Sequence, residues 1–146
     1  MASTKQITIE DVVLYNLETV VEENGNLVAI ESNIDLPFPI ERIFYVFGVK
    51  DQDLRGRHAH FKTQQLLICI NGQIEVTCKD GTLEKIFLLD SPQQGLFIPE
   101  RIWDEQMYKS KHSTLLSICS TKYNPDDYIH EYKEFQILKD KEGRAQ

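Results

Sequence analysis

Apolar residues recur with a period of two along most of this chain, in short runs broken by turn-forming residues, and that pattern restricts the fold more than any other feature. A strand with one buried face needs such alternation, whereas a helix needs a period near 3.6. The runs are "LVAIES", "ERIFYVF", "QQLLICI", "QIEVTCK", "TLEKIFLL", "GLFIP", "DEQMY" and "TLLSICS". In "QIEVTCK", Ile74, Val76 and Cys78 share one face and Glu75, Thr77 and Lys79 the other. "QQLLICI" is more continuously apolar, which predicts cover on both faces. Asn71-Gly72 and Asp80-Gly81 are dipeptides that supply positive φ at both centres of a type I′ hairpin. They predict a three-stranded meander from about Gln64 to Leu89.

The C-terminal segment has a different period. In "NPDDYIHEYKEFQILK", Pro125 stands where a first helical residue tolerates it and Asp126 and Asp127 fall in the first turn. Tyr128, Tyr132, Phe135 and Leu138 would then share one helix face, as packing residues. Residues 1–5 and 143–146 look loose, and no repeat, linker or low-complexity segment interrupts the chain. The expectation is a single domain over 1–146: an all-β, cupin-like jelly roll, or double-stranded β-helix, with one C-terminal α-helix.

At 146 residues the chain is long enough for one real core, and a net charge of −7 opposes binding to a polyphosphate strand. Nucleic acid is therefore not an expected partner. Cys69, Cys78 and Cys119 are odd in number and widely spaced, which reads as buried, reduced thiols. No apolar run reaches the length of a membrane span, and "MASTKQITIEDVV" lacks the layout of a signal peptide, so the expected compartment is the cytoplasm.

The chemistry concentrates in "RGRHAHFKTQQLLICINGQIEV". On a strand, His58 and His60 project side by side into one space while Ala59 points away. Arg55, Arg57 and Lys62 gather basic charge around them in an otherwise acidic chain. Such a pair can ligate a metal jointly or move protons jointly. A metal-binding cupin resembles HxH, a glutamate five residues on, a glycine and a later histidine. Here the corresponding positions are His58, His60, Gln65, Gly72 and Asp104. The amide of Gln65 is a weaker donor to transition metals than a carboxylate. His58, His60 and Asp104 could still form a two-histidine, one-carboxylate face, but the changed positions favour imidazoles acting as acid and base near pH 7.

With "RGRHAH", Gln65, Gly72, Asp80-Gly81, "PERIW" and "YNPDDYIHEYKEF", the chain resembles the cupin-type dTDP-sugar 3,4-ketoisomerases from about Gly25 to Phe135. The resemblance implies a homodimer of jelly rolls that exchange strands, no cofactor or metal, and a dTDP-linked 4-keto-6-deoxy sugar lying in the barrel. It implies that His58 and His60 are the acid–base pair, that Arg55 contacts the substrate, and that Tyr45 donates a hydrogen bond to the sugar. Arg57 and Gln65 are further substrate-binding candidates, and Trp103 would either stack on the thymine or fill the barrel wall. Many members of that family have an arginine and a histidine where this chain has Asn24 and Asp104. Both positions would lie near the sugar, so the C4 configuration of the 3-keto product stays open, and Asp104 is a candidate proton carrier. The implied product feeds 3-amino sugar synthesis for surface glycans. Two other readings remain: a metal-dependent cupin enzyme using His58, His60 and Asp104, and a non-catalytic sugar-binding cupin.

Overall fold

The computed structural model describes residues 5–144. Two five-stranded antiparallel sheets face each other. The first runs β1 (Val13–Asn16), β9 (Gln94–Ile98), β6 (Gln65–Asn71), β11 (Thr114–Cys119), β4 (Arg42–Val46). The second runs β12 (Tyr128–Ile129), β5 (Leu54–His60), β10 (Trp103–Tyr108), β7 (Ile74–Lys79), β8 (Glu84–Leu89). A separate hairpin of β2 (Val20–Glu22) and β3 (Gly25–Leu27) stands apart, and α1 (Tyr132–Arg144) closes the chain. The jelly roll with a C-terminal helix expected from the alternation is the fold observed. No described helix is long and apolar enough to cross a membrane.

Inward positions of both sheets make the main core, with Leu67, Cys69, Ile74, Val76, Leu89, Leu96 and Leu115 all buried. Leu66, Ile68 and Ile118 alternate to the outer face of the first sheet, where Leu36 and Phe38 cover them. This gives β6 its continuous apolar run: residues 65–69 are buried on both faces. On the outer face of the second sheet, Ala59, Trp103 and Ile129 pack under Phe135 of α1. Cys69, Cys78 and Cys119 are buried and unpaired.

Three expectations are corrected. The strands flanking Asn71-Gly72 do not pair with each other, because β6 bonds to β9 and β11 whereas β7 bonds to β8 and β10. That turn carries the chain between sheets, so the meander reduces to the β7–β8 hairpin. Gly72 is required there by φ +82° and by space, since a Cβ would stand 2.5 Å from Ser113 Oγ. In the β7–β8 turn only Gly81 has positive φ, and the Asp80 carboxylate accepts from the N–H groups of Thr82 (2.9 Å) and Leu83 (2.7 Å) in place of a two-residue turn.

"LVAIES" is not a strand beyond Leu27. Ile30 instead packs on the outer cluster of the first sheet. The third correction concerns the tail. Pro125–Asp127 is a single 3-10 turn capped by Asn124, Tyr128–Ile129 pairs with β5, and α1 begins only at Tyr132. Tyr128 therefore leaves the helix face and joins the strand layer beside the histidines.

Candidate active site

The histidine strand is aimed by a β-bulge. Across β10, Asp104 pairs with His58 and Glu105 with Gly56, so Arg57 has no partner, at φ +60°. The bulge shifts the alternation by one residue, which puts Arg55 opposite inward Gln106 although it lies three positions from His58. Gly56 is needed for the same geometry: its φ is +77°, and a Cβ would meet the Asp104 carbonyl oxygen at 3.2 Å. Arg57 is the exposed bulge residue. Arg55 is exposed at the edge of a shallow cavity of about 320 Å³ shared with Phe47, Lys50 and Asp53.

His58 and His60 do face one space. Their ring centroids are 5.0 Å apart and nearly perpendicular. His60 is buried, and Tyr128, its cross-strand neighbour on β12, lies 4.5 Å from it and 5.2 Å from His58. His130 stacks flat on Tyr128 at 5.5 Å. Burial lowers the His60 pKa to about 3, helped by the charges of His58, Arg42 and His130 and opposed by Asp127. The imidazole is thus neutral at cellular pH.

Asp104 is buried directly across the strand pair from His58. Its Oδ2 accepts from Gln106 Nε2 at 2.9 Å, and Gln106 Oε1 accepts from the Tyr108 hydroxyl at 3.1 Å. Burial raises the Asp104 pKa, against the lowering effects of His58 and of the Gln106 hydrogen bond. The carboxyl is biased toward its protonated, proton-donating form. On the opposite sheet, buried Gln65 turns inward with Nε2 at 3.6 Å from Cys119 Sγ. Among the described residues, no three His, Cys, Asp or Glu side chains are grouped so as to hold a metal ion.

The remaining candidates lie elsewhere in this chain. Trp103 is buried on the opposite face of β10, 5.1 Å from the Tyr132 ring and 5.8 Å from that of Phe135. It anchors the helix and does not line the space holding the histidines. Tyr45 is 65% exposed on the outward face of β4, stacked on Phe47, and so is neither a core aromatic nor a neighbour of the histidines within one chain. Asn24 sits in the exposed turn of the β2–β3 hairpin.

Residues not singled out from the sequence complete the site. Asp127 accepts hydrogen bonds from the N–H groups of Lys62 (2.8 Å) and Thr63 (3.2 Å) and from the Thr63 hydroxyl. This ties the 3-10 turn to the end of β5 and holds Tyr128 against His60. Arg42 enters from the inward face of β4, its guanidinium 5.6 Å from the Tyr123 ring and 5.7 Å from that of Phe44. The inward period of "ERIFYVF" could have flagged Arg42, because it shares the face of Phe44 and Val46.

A jelly-roll interior that gathers a histidine pair, a buried carboxyl and a half-buried arginine defines a cupin-like protein with a candidate site for acid–base chemistry on a small molecule. Comparison with known proteins narrows this class. The family model described as FdtA: WxcM-like, C-terminal matches residues 10–140, and the chain belongs to that family. It is 37% identical over 121 residues, 83% of this chain and 87% of the other, to TDP-4-oxo-6-deoxy-alpha-D-glucose-3,4-oxoisomerase of Aneurinibacillus thermoaerophilus. A 3,4-ketoisomerase of Helicobacter canadensis superposes with a TM-score of 0.86 at 35% identity, over 89% of this chain and 98% of that one. The sugar 3,4-ketoisomerase QdtA of Thermoanaerobacterium thermosaccharolyticum, solved with TDP, gives 0.88 at 34% identity over 91% and 97%. A histidine-to-asparagine variant of QdtA was solved with TDP-4-keto-6-deoxyglucose.

Proposed function

We propose that this protein isomerises dTDP-4-keto-6-deoxyglucose to a dTDP-3-keto-6-deoxyhexose through an enediol intermediate, without a metal. The observation that carries the reading is the inward histidine pair, joined by Tyr128 and facing Asp104, in a chain related along most of its length to TDP-sugar 3,4-ketoisomerases. Moving a ketone from C4 to C3 requires a proton to leave C3 and one to arrive at C4. His58, half-buried and opposite Asp104, takes the C3 proton. Asp104, biased toward its protonated form, would deliver the proton that C4 receives and be recharged from the His58 imidazolium across the strand pair. His60 is held neutral by burial and polarises a sugar oxygen through its imidazole.

Arg55, at the exposed edge of this interior, is placed for the pyrophosphate, with Arg57 as a more distant cation. The exposed apolar side chains Val21, Leu27, Ile43, Tyr45 and Phe47 support a homodimer that exchanges strands. In that assembly the β2–β3 hairpin would carry Asn24, and the outer face of β4 would carry Tyr45, toward the partner's barrel. In this reading residues 1–146 act as a single catalytic domain within the dimer, and the buried unpaired thiols suit the reducing cytoplasm.

His58→Asn and His60→Asn test the reading. Each should lower kcat by about 10²–10⁴ with the circular dichroism spectrum unchanged. Wild-type turnover in both variants would contradict it.

A further inference from the structure

Two buried polar atoms of the site have no hydrogen-bond partner among the described residues: Nε of Arg42 and Nε2 of His60. An unpaired buried donor or acceptor is costly, so such atoms are candidates for contact with a bound molecule. Arg42 pairs with Cys119 at the inner end of β4. From its guanidinium a chain of aromatic contacts leads to the histidines, through Tyr123 at 5.6 Å, Tyr123 to Tyr128 at 6.0 Å and Tyr128 to His60 at 4.5 Å. Its positive charge reaches His60, where it opposes protonation. Among the described residues Arg42 forms no ion pair, unlike Lys79, Arg101 and Lys139, which all face carboxylates.

We propose that Arg42 is a catalytic residue of the isomerisation, its guanidinium stabilising the oxyanion of the enediolate. The inference rests on the ketoisomerase reading and adds the group that carries its developing charge. The base takes the C3 proton, the C3–H electron pair becomes the C3=C4 bond, and the C4 carbonyl pair moves onto O4. Arg42 donates to O4 at that moment. A proton then passes from O3 to O4, the C3=O bond forms, and C4 receives a proton. C3 is oxidised as C4 is reduced, so no external oxidant or reductant enters.

The surroundings suit that task. Aromatic faces on two sides hold a guanidinium by cation–π attraction without cancelling its charge, which a carboxylate would do. Partial burial keeps the local dielectric low, where a fixed donor acts most strongly on charge that appears only in the transition state. The guanidinium also meets Cys119 and Tyr128, and the pyrophosphate is the competing anion for a cation that has no ion pair among the described residues. Arg42 meets Tyr128, which in turn packs on His60, and this position assigns it to the sugar, whereas Arg55 at the exposed edge is left for the phosphates.

Arg42→Met and Arg42→Lys, compared with wild type, separate these roles. In the methionine variant kcat should fall by about 10²–10³, the scale for one lost oxyanion donor. Solvent deuterium entry into the sugar ring should slow by the same factor, and calorimetric affinity for TDP should stay within about threefold, well under the tenfold that 1.4 kcal/mol represents. The lysine variant should recover part of the rate. If the methionine variant does not fold, Arg42→Gln takes its place against Arg42→Lys. A neutral variant with wild-type kcat overturns the proposal, as does a loss confined to TDP affinity, which would assign Arg42 to the pyrophosphate. If wild type itself neither exchanges nor turns over the 4-keto sugar, the ketoisomerase reading falls and this proposal with it. An active wild type beside an equally active neutral variant refutes the role of Arg42 alone.

Discussion

Acid should weaken this fold through His60. Its imidazole drops from 6.5 to about 3 because burial penalises the charged form, with His58, Arg42 and His130 adding repulsion. The unfolded chain restores the ordinary value, so it binds this proton more readily than the native state does. With the folded pKa below the unfolded one, the histidine's contribution is complete above about pH 6.5 and is lost progressively as pH falls toward 3. At about 1.4 kcal/mol per pH unit, the whole window amounts to roughly 4–5 kcal/mol. Acidification from pH 7 to pH 4 removes about 3 kcal/mol of it, a large share of a domain stability of about 5–15 kcal/mol. His60→Gln keeps a polar side chain and deletes the titration. Urea denaturation at pH 7, 6, 5 and 4, at one protein concentration, can be followed by the fluorescence of Trp103, the single tryptophan, buried under α1. Wild type should lose about 3 kcal/mol more than the variant between pH 7 and pH 4. Asp104, shifted upward, has the opposite pH dependence but is common to both proteins. Equal pH slopes would refute the burial argument.

Two further outcomes follow from the site geometry. Gly56→Ala forces a Cβ to 3.2 Å from the Asp104 carbonyl oxygen at φ +77° and should cost about 1–3 kcal/mol of stability while lowering kcat by misaiming His58; unchanged kcat and melting temperature would show that the bulge is not what aims the strand. Dialysis against EDTA should leave kcat unchanged, with iron, manganese and zinc far below stoichiometric by elemental analysis; activity restored only by added metal would return His58, His60 and Asp104 to the role of ligands.

The strand content was legible because most strands bury one face and alternate accordingly, as "QIEVTCK" does in β7. Sheet membership was not, because Asn71-Gly72 makes an equally good local turn whether the chain folds back or crosses to the opposite sheet. Only the long-range pairing of β6 with β11 and of β7 with β10 decides it. The histidine pair was legible from its spacing of two, and Arg55 only from its proximity in sequence, since its parity with His58 is odd until the bulge is known. Tyr128 was hidden by Pro125 and the two aspartates, which imitate a helix start. Asp127 in fact caps the backbone after β5, a contact spanning more than sixty residues of chain. Arg42 shares the inward face of Phe44 and Val46, but nothing local in the sequence reveals that its Nε is buried without a partner.

In the proposed reaction these side chains carry a proton between C3 and C4 of a TDP-linked 4-keto sugar. The most direct measurement is a proton NMR time course in D₂O with dTDP-4-keto-6-deoxyglucose and metal-stripped protein. Deuterium appearing at C4 together with a new 3-keto sugar is the predicted result, and the size of the H4–H5 coupling in a parallel run in H₂O assigns the C4 configuration that Asn24 and Asp104 leave open. A substrate that binds but stays unchanged, with no deuterium at either carbon, would contradict it.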